Sequence, residues 1–372
     1  MRGDLPLFMC KPIAIVNELG AQIEHFEITF SSRLSHLEIT ELDILICSEN
    51  TQNLYVPLKI KDIKPREKNK FDVFLEHNIF DKQTKLFLFD EVKFCQIVCK
   101  IHFKVELSIL ENGTQRLLSE KEGEVLPIFC SEKEKFIHST FGDINYSLFT
   151  PISNDKKHPL IICLHGAGEG GKNQSNILAD MMATTFLKDK NTNLFDNPYI
   201  LAPQCPSFWL DRFELNNQEY IGLRDYTYTL NNLTEHILDK YQDIDRNRIY
   251  LIGASMGGYQ ALRLVSCSPH LFAAAIISCP AKIPKDEQLD YINIPIWFIH
   301  SELDRTVPIS NTEYIVNYIQ KRNVAIKKTY CFEVFIQNKE IDPHCVFLNV
   351  YNDSINDRNI SIFEWLTTQY KE

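Results

Sequence analysis

Residues 248–258 read RIYLIGASMGG, an unbroken apolar run that stops at a glycine and passes through a serine flanked by small residues. The run is a buried strand by composition. The segment Gly253-Ala254-Ser255-Met256-Gly257 fits a sharp strand-to-helix turn. Small residues two before and two after the serine let neighbouring backbone approach a strained residue without a Cβ clash. Ala261, Leu262, Leu264 and Val265 then fall at helical spacing, and that helix must stop before Pro269.

The pattern around this segment is the same. From about residue 131, buried strand-like runs at Ile144–Phe149, Leu160–Leu164, Tyr199–Ala202, Ile249–Ile252, Ala273–Ser278, Ile296–Ile299 and Lys328–Phe335 alternate with helical periodicity. Leu230, Leu233, Ile237, Leu238 and Tyr241 predict a helix over Thr227–Tyr241, and the last helix is predicted over Ile360–Tyr370. This is the signature of βαβ units around a mainly parallel sheet. Residues 11–130 differ, showing strands with almost no helix. Phe26, Ile28 and Phe30 alternate with Glu27 and Thr29, and Ile101, Phe103, Val105 and Leu107 alternate with polar residues. Similar runs at Pro12–Leu19, Ile44–Cys47, Tyr55–Ile63, Phe71–Leu75 and Leu86–Phe89 bring the count to about seven, as in an immunoglobulin-like β-sandwich; a small barrel is the alternative. A chain of 372 residues accommodates both, giving an all-β domain over 1–130 and an α/β domain over 131–372. The basic stretch Lys61–Lys70, interrupted by acids and Pro65, reads as a solvated turn between strands.

A net charge of −10 with no basic patch argues against a nucleic-acid partner, which needs cations to displace counterions from phosphate. Asp4, Pro6 and Lys11 interrupt the N-terminus before any signal-peptide core develops, and runs such as Pro159–Leu164 fall far short of the roughly 20 residues that span a bilayer. The expectation is a cytoplasmic protein with no membrane partner. Eleven cysteines are scattered without a repeated C-x-x-C pair, and Cys95, Cys99, Cys163 and Cys279 sit in apolar runs, as free thiols in a reducing compartment do. Cys95 and Cys99 lack the second ligand pair of a zinc site, so no metal and no cofactor is expected.

Ser255 is the candidate nucleophile. A serine hydroxyl needs an adjacent base, and after a turn of this kind the partners follow in the order serine, acid, histidine. Beyond His270 only His300 and His344 remain, and an acid placed after the Ile296–Ile299 strand leaves His344 as the base. Asp304 is the preferred acid because it lies just past the carboxyl end of that strand, where open α/β sheets build their sites; Glu302 is its nearest competitor. Acyl transfer also needs donors for a developing oxyanion. The N–H of Met256, with that of Ala167 or Gly166 from the loop His165-Gly166-Ala167-Gly168-Glu169-Gly170-Gly171, would supply them. The loop matches neither G-x-x-x-x-G-K-[ST] nor a dinucleotide fingerprint, and His165 itself reads as structural.

Taken in order, HGAGEGG, APQCP, RIYLIGASMGGYQAL, PHLFAAAI, IPIWFIHSELDRTVP and a late histidine resemble the α/β-hydrolase esterases and predicted peptidases, close to polyhydroxybutyrate-depolymerase-like and dienelactone-hydrolase-like proteins. The resemblance covers roughly residues 140–370. It implies an α/β-hydrolase fold acting on a small-molecule ester through an acyl-enzyme, or on a peptide or amide with the same residues. Some relatives carry an N-terminal immunoglobulin-like domain, which implies a part for residues 11–130 in homo-oligomer assembly or substrate access. The sequence departs from the family at Asp342-Pro343-His344, where a Gly-His pair is usual. Trp209 and Phe208, after APQCP, are candidates for a substrate wall or for core. A scaffold that keeps the fold without turnover is the reading from another functional class.

Overall fold

A computed structural model describes the chain apart from residues 1–4, 33, 35–36, 77, 91–94, 153–155, 175, 216–217 and 372, with backbone alone at 90, 95, 213–215 and 218. It divides into two compact units, residues 5–90 with 96–134, and residues 135–371.

The first unit is all-β, apart from short helical turns. Strands Phe8–Asn17, Gly20–Phe30, Lys70–Leu75 and Ile60–Glu67 run antiparallel in one sheet, with Gly123–Val125 and Phe129–Cys130 parallel to the first of them. Thr114–Leu118, His102–Glu111, Leu37–Cys47 and Val56–Pro57 form the second sheet. The predicted alternation holds, since Phe26, Ile28 and Phe30 are buried, and the Phe26 ring meets Phe103 of the other sheet edge-on at 5.1 Å between centroids. Two sheets sharing an apolar interior make a β-sandwich.

Two expectations here are corrected. Tyr55–Ile63 is two strands rather than one, because Val56–Pro57 pairs in the second sheet and Ile60–Glu67 in the first. Lys61–Lys70 is mostly strand rather than turn, with only residues 68–69 turning. It lies at the sheet edge, where a proline is tolerated and where lysines discourage further pairing.

The second unit is built on an eight-stranded sheet. Its strands are β1 (Ile137–Phe141), β2 (Ile144–Phe149), β3 (His158–Leu164), β4 (Tyr199–Gln204), β5 (Ile244–Ala254), β6 (Ala274–Ser278), β7 (Ile296–Ser301) and β8 (Ile326–Cys331). The spatial order is β1-β2-β4-β3-β5-β6-β7-β8, parallel from β4 onward and antiparallel at β1 and β2. β3, β4, β6 and β7 are buried along their whole length, as strands covered on both faces must be. Helix α1 (Thr227–Lys240) buries Leu230, Leu233, Ile237 and Leu238, each worth roughly 1.5–3 kcal/mol of transfer free energy. That far exceeds the helix propensity of this Thr- and Asn-rich segment.

Helix α2 (Met256–Cys267) follows β5 directly, and α3 (Ser310–Gln320) follows β7 with Thr312, Ile315, Val316 and Ile319 inward. The predicted strand Lys328–Phe335 instead ends at Cys331, and Val334–Ile336 pairs with Lys339–Ile341 in a separate hairpin. The last helix is Ile362–Thr367, shorter than predicted, because Ile360–Ser361 pairs with Asn356–Asp357 and Ser361 caps the helix through the Glu364 N–H.

Candidate active site

The turn between β5 and α2 holds Ser255 at φ 54° and ψ −117°, a conformation that L-residues rarely adopt. Its backbone is pinned on both sides. The Ser255 N–H donates to the Ser278 carbonyl at 2.9 Å, and the Ser255 carbonyl accepts from Ala281 N–H at 2.9 Å and Tyr259 N–H at 3.1 Å. The glycines answer to backbone contacts: a Cβ on Gly257 would meet the Leu164 carbonyl oxygen at 1.9 Å, and one on Gly253 the Gly257 oxygen at 2.4 Å. No larger residue fits while β3 and the start of α2 remain this close.

Asp304 and His344 come to Ser255 from two other loops. The Asp304 side chain is fully buried at the end of β7, whereas Glu302, two residues earlier, is exposed. Asp304 Oδ1 accepts the N–H groups of Thr306 and Val307, both at 2.9 Å. Its Oδ2 lies 2.8 Å from His344 Nδ1 and 3.2 Å from His300 Nε2. His344 Nε2 stands 3.1 Å from Ser255 Oγ. The departure at Asp342-Pro343 builds the histidine turn, since Asp342 caps it by accepting the His344 N–H at 2.9 Å and Pro343 occupies its first position.

His300 belongs to the same cluster. It is wholly buried, its Nε2 also faces the Val307 carbonyl at 3.1 Å, and its Nδ1 meets Thr312 Oγ1 at 2.7 Å. Carboxylate and carbonyl only accept, so in the neutral ring Nε2 carries the hydrogen and Nδ1 accepts from Thr312.

Burial pushes the Asp304 carboxyl up, but hydrogen bonds from His300 and His344 outweigh it and hold the group well below the ordinary carboxylate range. Burial opposes charge on His344, and the Cys279 sulfur and Asp304 together reverse this, raising the imidazole to about 10. Cys279 contributes fully only as thiolate. Its wholly buried thiol donates to the His344 carbonyl at 3.6 Å, and the upward push on the imidazole comes from Asp304 at its Nδ1.

Met256 and Ala167 each open a helix, so neither N–H has an intrahelical carbonyl to bond, and no acceptor is seen for either among the described residues. Gly166 differs from expectation: its N–H donates to Glu169 Oε2 at 2.8 Å and is already used. His165 is structural, accepting the Cys205 N–H on Nε2 at 2.9 Å and donating from Nδ1 to the Gly166 carbonyl at 2.6 Å. Burial lowers its pKa to about 4, keeping it neutral. Trp209 is not a substrate wall. It is 1% exposed, its indole N–H donates to the His165 carbonyl at 3.1 Å, and its ring packs on His165 and Tyr226, so it belongs to the core beneath the loop.

Among the described residues ten cysteines are free thiols, and Cys95, half of the pair weighed for zinc, has no described side chain. Ligand atoms of Cys279, Asp304 and His344 lie within 4.8 Å of one another, as do those of His25, Glu27 and Asp72 in the first unit. In the former set Asp304 and His344 already bond each other. No helix among the described residues is long and apolar enough to cross a membrane.

Residues 148–335 match the model of a family described as phospholipase/carboxylesterase, a span that includes Ser255 and Asp304 and ends before His344. Among proteins of curated function none matches. Among solved structures the chain is similar to a thermostable esterase, at 24% identity and a TM-score of 0.78 over 97% of this chain and 99% of that one. It is also similar to MGS-M1, an α/β hydrolase from a Medee basin deep-sea metagenome library, at 15% identity over 53% of this chain and 81% of that one, with a TM-score of 0.40. A further similar structure is Est1E from Butyrivibrio proteoclasticus, at 14% identity over 59% and 95%, with a TM-score of 0.41.

Proposed function

The chain belongs to the phospholipase/carboxylesterase family, and from that premise we propose that it cleaves small-molecule carboxylic esters with Ser255 as nucleophile, His344 as general base and Asp304 as orienting acid. The observation that carries this reading is the chain of contacts Ser255 Oγ to His344 Nε2 at 3.1 Å and His344 Nδ1 to Asp304 Oδ2 at 2.8 Å. In the reaction His344 Nε2 takes the Ser255 proton as Oγ attacks the ester carbonyl. The N–H groups of Met256 and Ala167 receive the charge that develops on the carbonyl oxygen. His344 then protonates the departing alcohol, leaving an acyl group on Ser255. Water, deprotonated by the same nitrogen, releases the acid and restores the serine. Asp304 stays ionised throughout, fixing the tautomer of His344 and stabilising the imidazolium.

The test is turnover of p-nitrophenyl esters from acetate to decanoate beside Ser255→Ala and His344→Ala. Loss of nearly all activity in both variants supports the reading, and the chain-length profile sizes the acyl pocket. An inert wild type, or variants that match it, would favour a scaffold role. Peptide turnover equal to ester turnover would move the assignment to a peptidase with the same residues.

A further inference from the structure

The loop that follows β3 is held from inside by an acid. Ala167–Glu169 form one helical turn, and the Glu169 side chain folds back so that Oε2 accepts the Gly166 N–H at 2.8 Å. The Glu169 backbone carbonyl accepts from Gln204 Nε2 at 2.9 Å, and Gly170 presses on residue 207 so closely that a Cβ there would lie 1.9 Å from the Ser207 carbonyl oxygen. The loop is therefore clamped at both ends, and the Glu169 side chain ties the later end back to the earlier one.

Glu169 is 13% exposed at its side chain and lines one small cavity with a second carboxyl, Asp180, itself 7% exposed. Asp180 Oδ1 accepts the Met182 N–H at 2.8 Å. Two ionised carboxylates only accept and repel each other, so a buried pair of this kind favours holding one proton between them. The residues around them offer no cation instead. Cys163, His165, Asn176, Met182, Ala183 and Ala202 complete a cavity of about 10 Å³ beside the pair, and His165 is neutral in the tautomer its two bonds impose. Burial raises both acids, Asp180 to about 6, and the neighbouring Asp180 pushes Glu169 further up, well above its ordinary value. Asn176 Oδ1 also lines this space, is buried and has no partner among the described residues, and the volume is about that of one water, which would join it to the acids.

We propose that Glu169, backed by Asp180, is a positioning residue for the oxyanion-binding turn: by holding the Gly166 N–H it fixes the turn whose next N–H, that of Ala167, receives the reacting carbonyl oxygen. This rests on the esterase reading above. Glu169 never touches substrate. Its effect passes through the backbone, and a donor displaced by about 1 Å costs on the order of 10²-fold in rate.

The test compares Glu169→Ala, Glu169→Met and Glu169→Gln in the full chain, by steady-state hydrolysis of p-nitrophenyl acetate and by Tm, with Ser255→Ala in parallel. Met fills the volume without an acceptor, whereas the Gln amide oxygen can take the Gly166 N–H and its NH2 can donate to Asp180 in place of the shared proton. Expected are a fall in kcat of about 10²-fold for Ala and Met with KM changed less than about threefold, and recovery by Gln to within about fivefold of wild type. Should the Ala variant fail to fold, Met against Gln carries the comparison. Wild-type kcat in a folded Glu169→Met, or a Gln variant as impaired as Met, overturns the proposal. If Ser255→Ala stays active, it is the esterase reading that fails.

Discussion

Replacing Asp304 by Asn keeps the shape of the acid and removes its charge, and the surrounding hydrogen bonds dictate which way the amide must point. Oδ1 accepts two backbone N–H groups, from Thr306 and Val307, whereas Oδ2 faces the nitrogens of His344 and His300. An amide nitrogen on the Oδ1 side would leave two buried donors unpaired, at about 1–3 kcal/mol each. The amide oxygen therefore sits there, and the NH2 faces His344 Nδ1. That nitrogen must then accept, which puts the imidazole hydrogen on Nε2, pointing at Ser255 Oγ. A base already protonated on its working nitrogen cannot take the serine proton. The expected loss is about 10⁴-fold in kcat, equivalent to about 5.4 kcal/mol at 1.36 kcal/mol per decade. KM and Tm should move far less, because the turn through Thr306 and Val307 is kept. The assay is p-nitrophenyl acetate hydrolysis with Tm measured on the same preparations. A kcat within tenfold of wild type refutes the reasoning, as does a greater loss from Glu302→Gln, which alters an exposed neighbour.

His300→Phe should lower kcat about tenfold and destabilise the fold by about 2–3 kcal/mol, since it removes a hydrogen bond to a charged group and strands Thr312 Oγ1 and the Val307 carbonyl; denaturant unfolding and kinetics on one sample check both. Gly257→Ala sets a Cβ 1.9 Å from the Leu164 oxygen, backbone against backbone, and should cost about 3 kcal/mol or more together with most of the activity; an unchanged Tm would contradict the close approach. On the proposed mechanism His344 acts as a base only when neutral and its pKa is raised, so kcat/KM should rise through an acidic limb lying above the ordinary histidine value of 6.5; a limb at or below that value in the pH–rate profile would show that Asp304 does not act on it. The same raised pKa makes its contribution to stability complete below the unfolded-state histidine value and lost as pH rises through the folded one. Asp304, depressed, contributes above the unfolded carboxylate value, and that share is lost as pH falls through its folded pKa; urea titrations across pH in wild type and Asp304→Asn should diverge most at neutral pH and converge in acid.

What could be read from the sequence was what local chemistry determines. The Ser255 turn is contiguous, so strand, glycines and helix announce it together. Asp304 was separable from Glu302 only by position after β7; its burial comes from an aspartate turn through Thr306 and Val307 that an acid two residues earlier does not make. The hairpin that delivers His344 is invisible to a periodicity argument, because Cys331 to Val334 keep strand composition while the chain turns. His300 lies inside an apolar strand, and nothing in its neighbours signals that it supports Asp304. Glu169 did carry a signal: an acid three residues after the residue that starts a helical turn is the spacing of a reciprocal cap, and it removes Gly166 as an oxyanion donor. Helix α3 was not predicted, although Ile315, Val316 and Ile319 fall at helical spacing on its buried face. Trp209 shows the limit in the other direction, since an aromatic after a strand is equally consistent with wall and core until its N–H finds a buried carbonyl.

The contact between Gly257 and the Leu164 carbonyl joins the start of α2 to the end of β3 without any side chain from Gly257. Met256 directly precedes Gly257, so on the proposed mechanism its N–H is set against β3 by main chain on main chain, whereas that of Ala167, three residues past Leu164, depends also on the Glu169 carboxyl. Rotamer changes cannot alter the first of these settings. The loops beyond it, residues 170–195 and 205–226, can therefore drift in sequence, Gly170 and Asp180 apart, and reshape what the enzyme admits without moving the Met256 N–H.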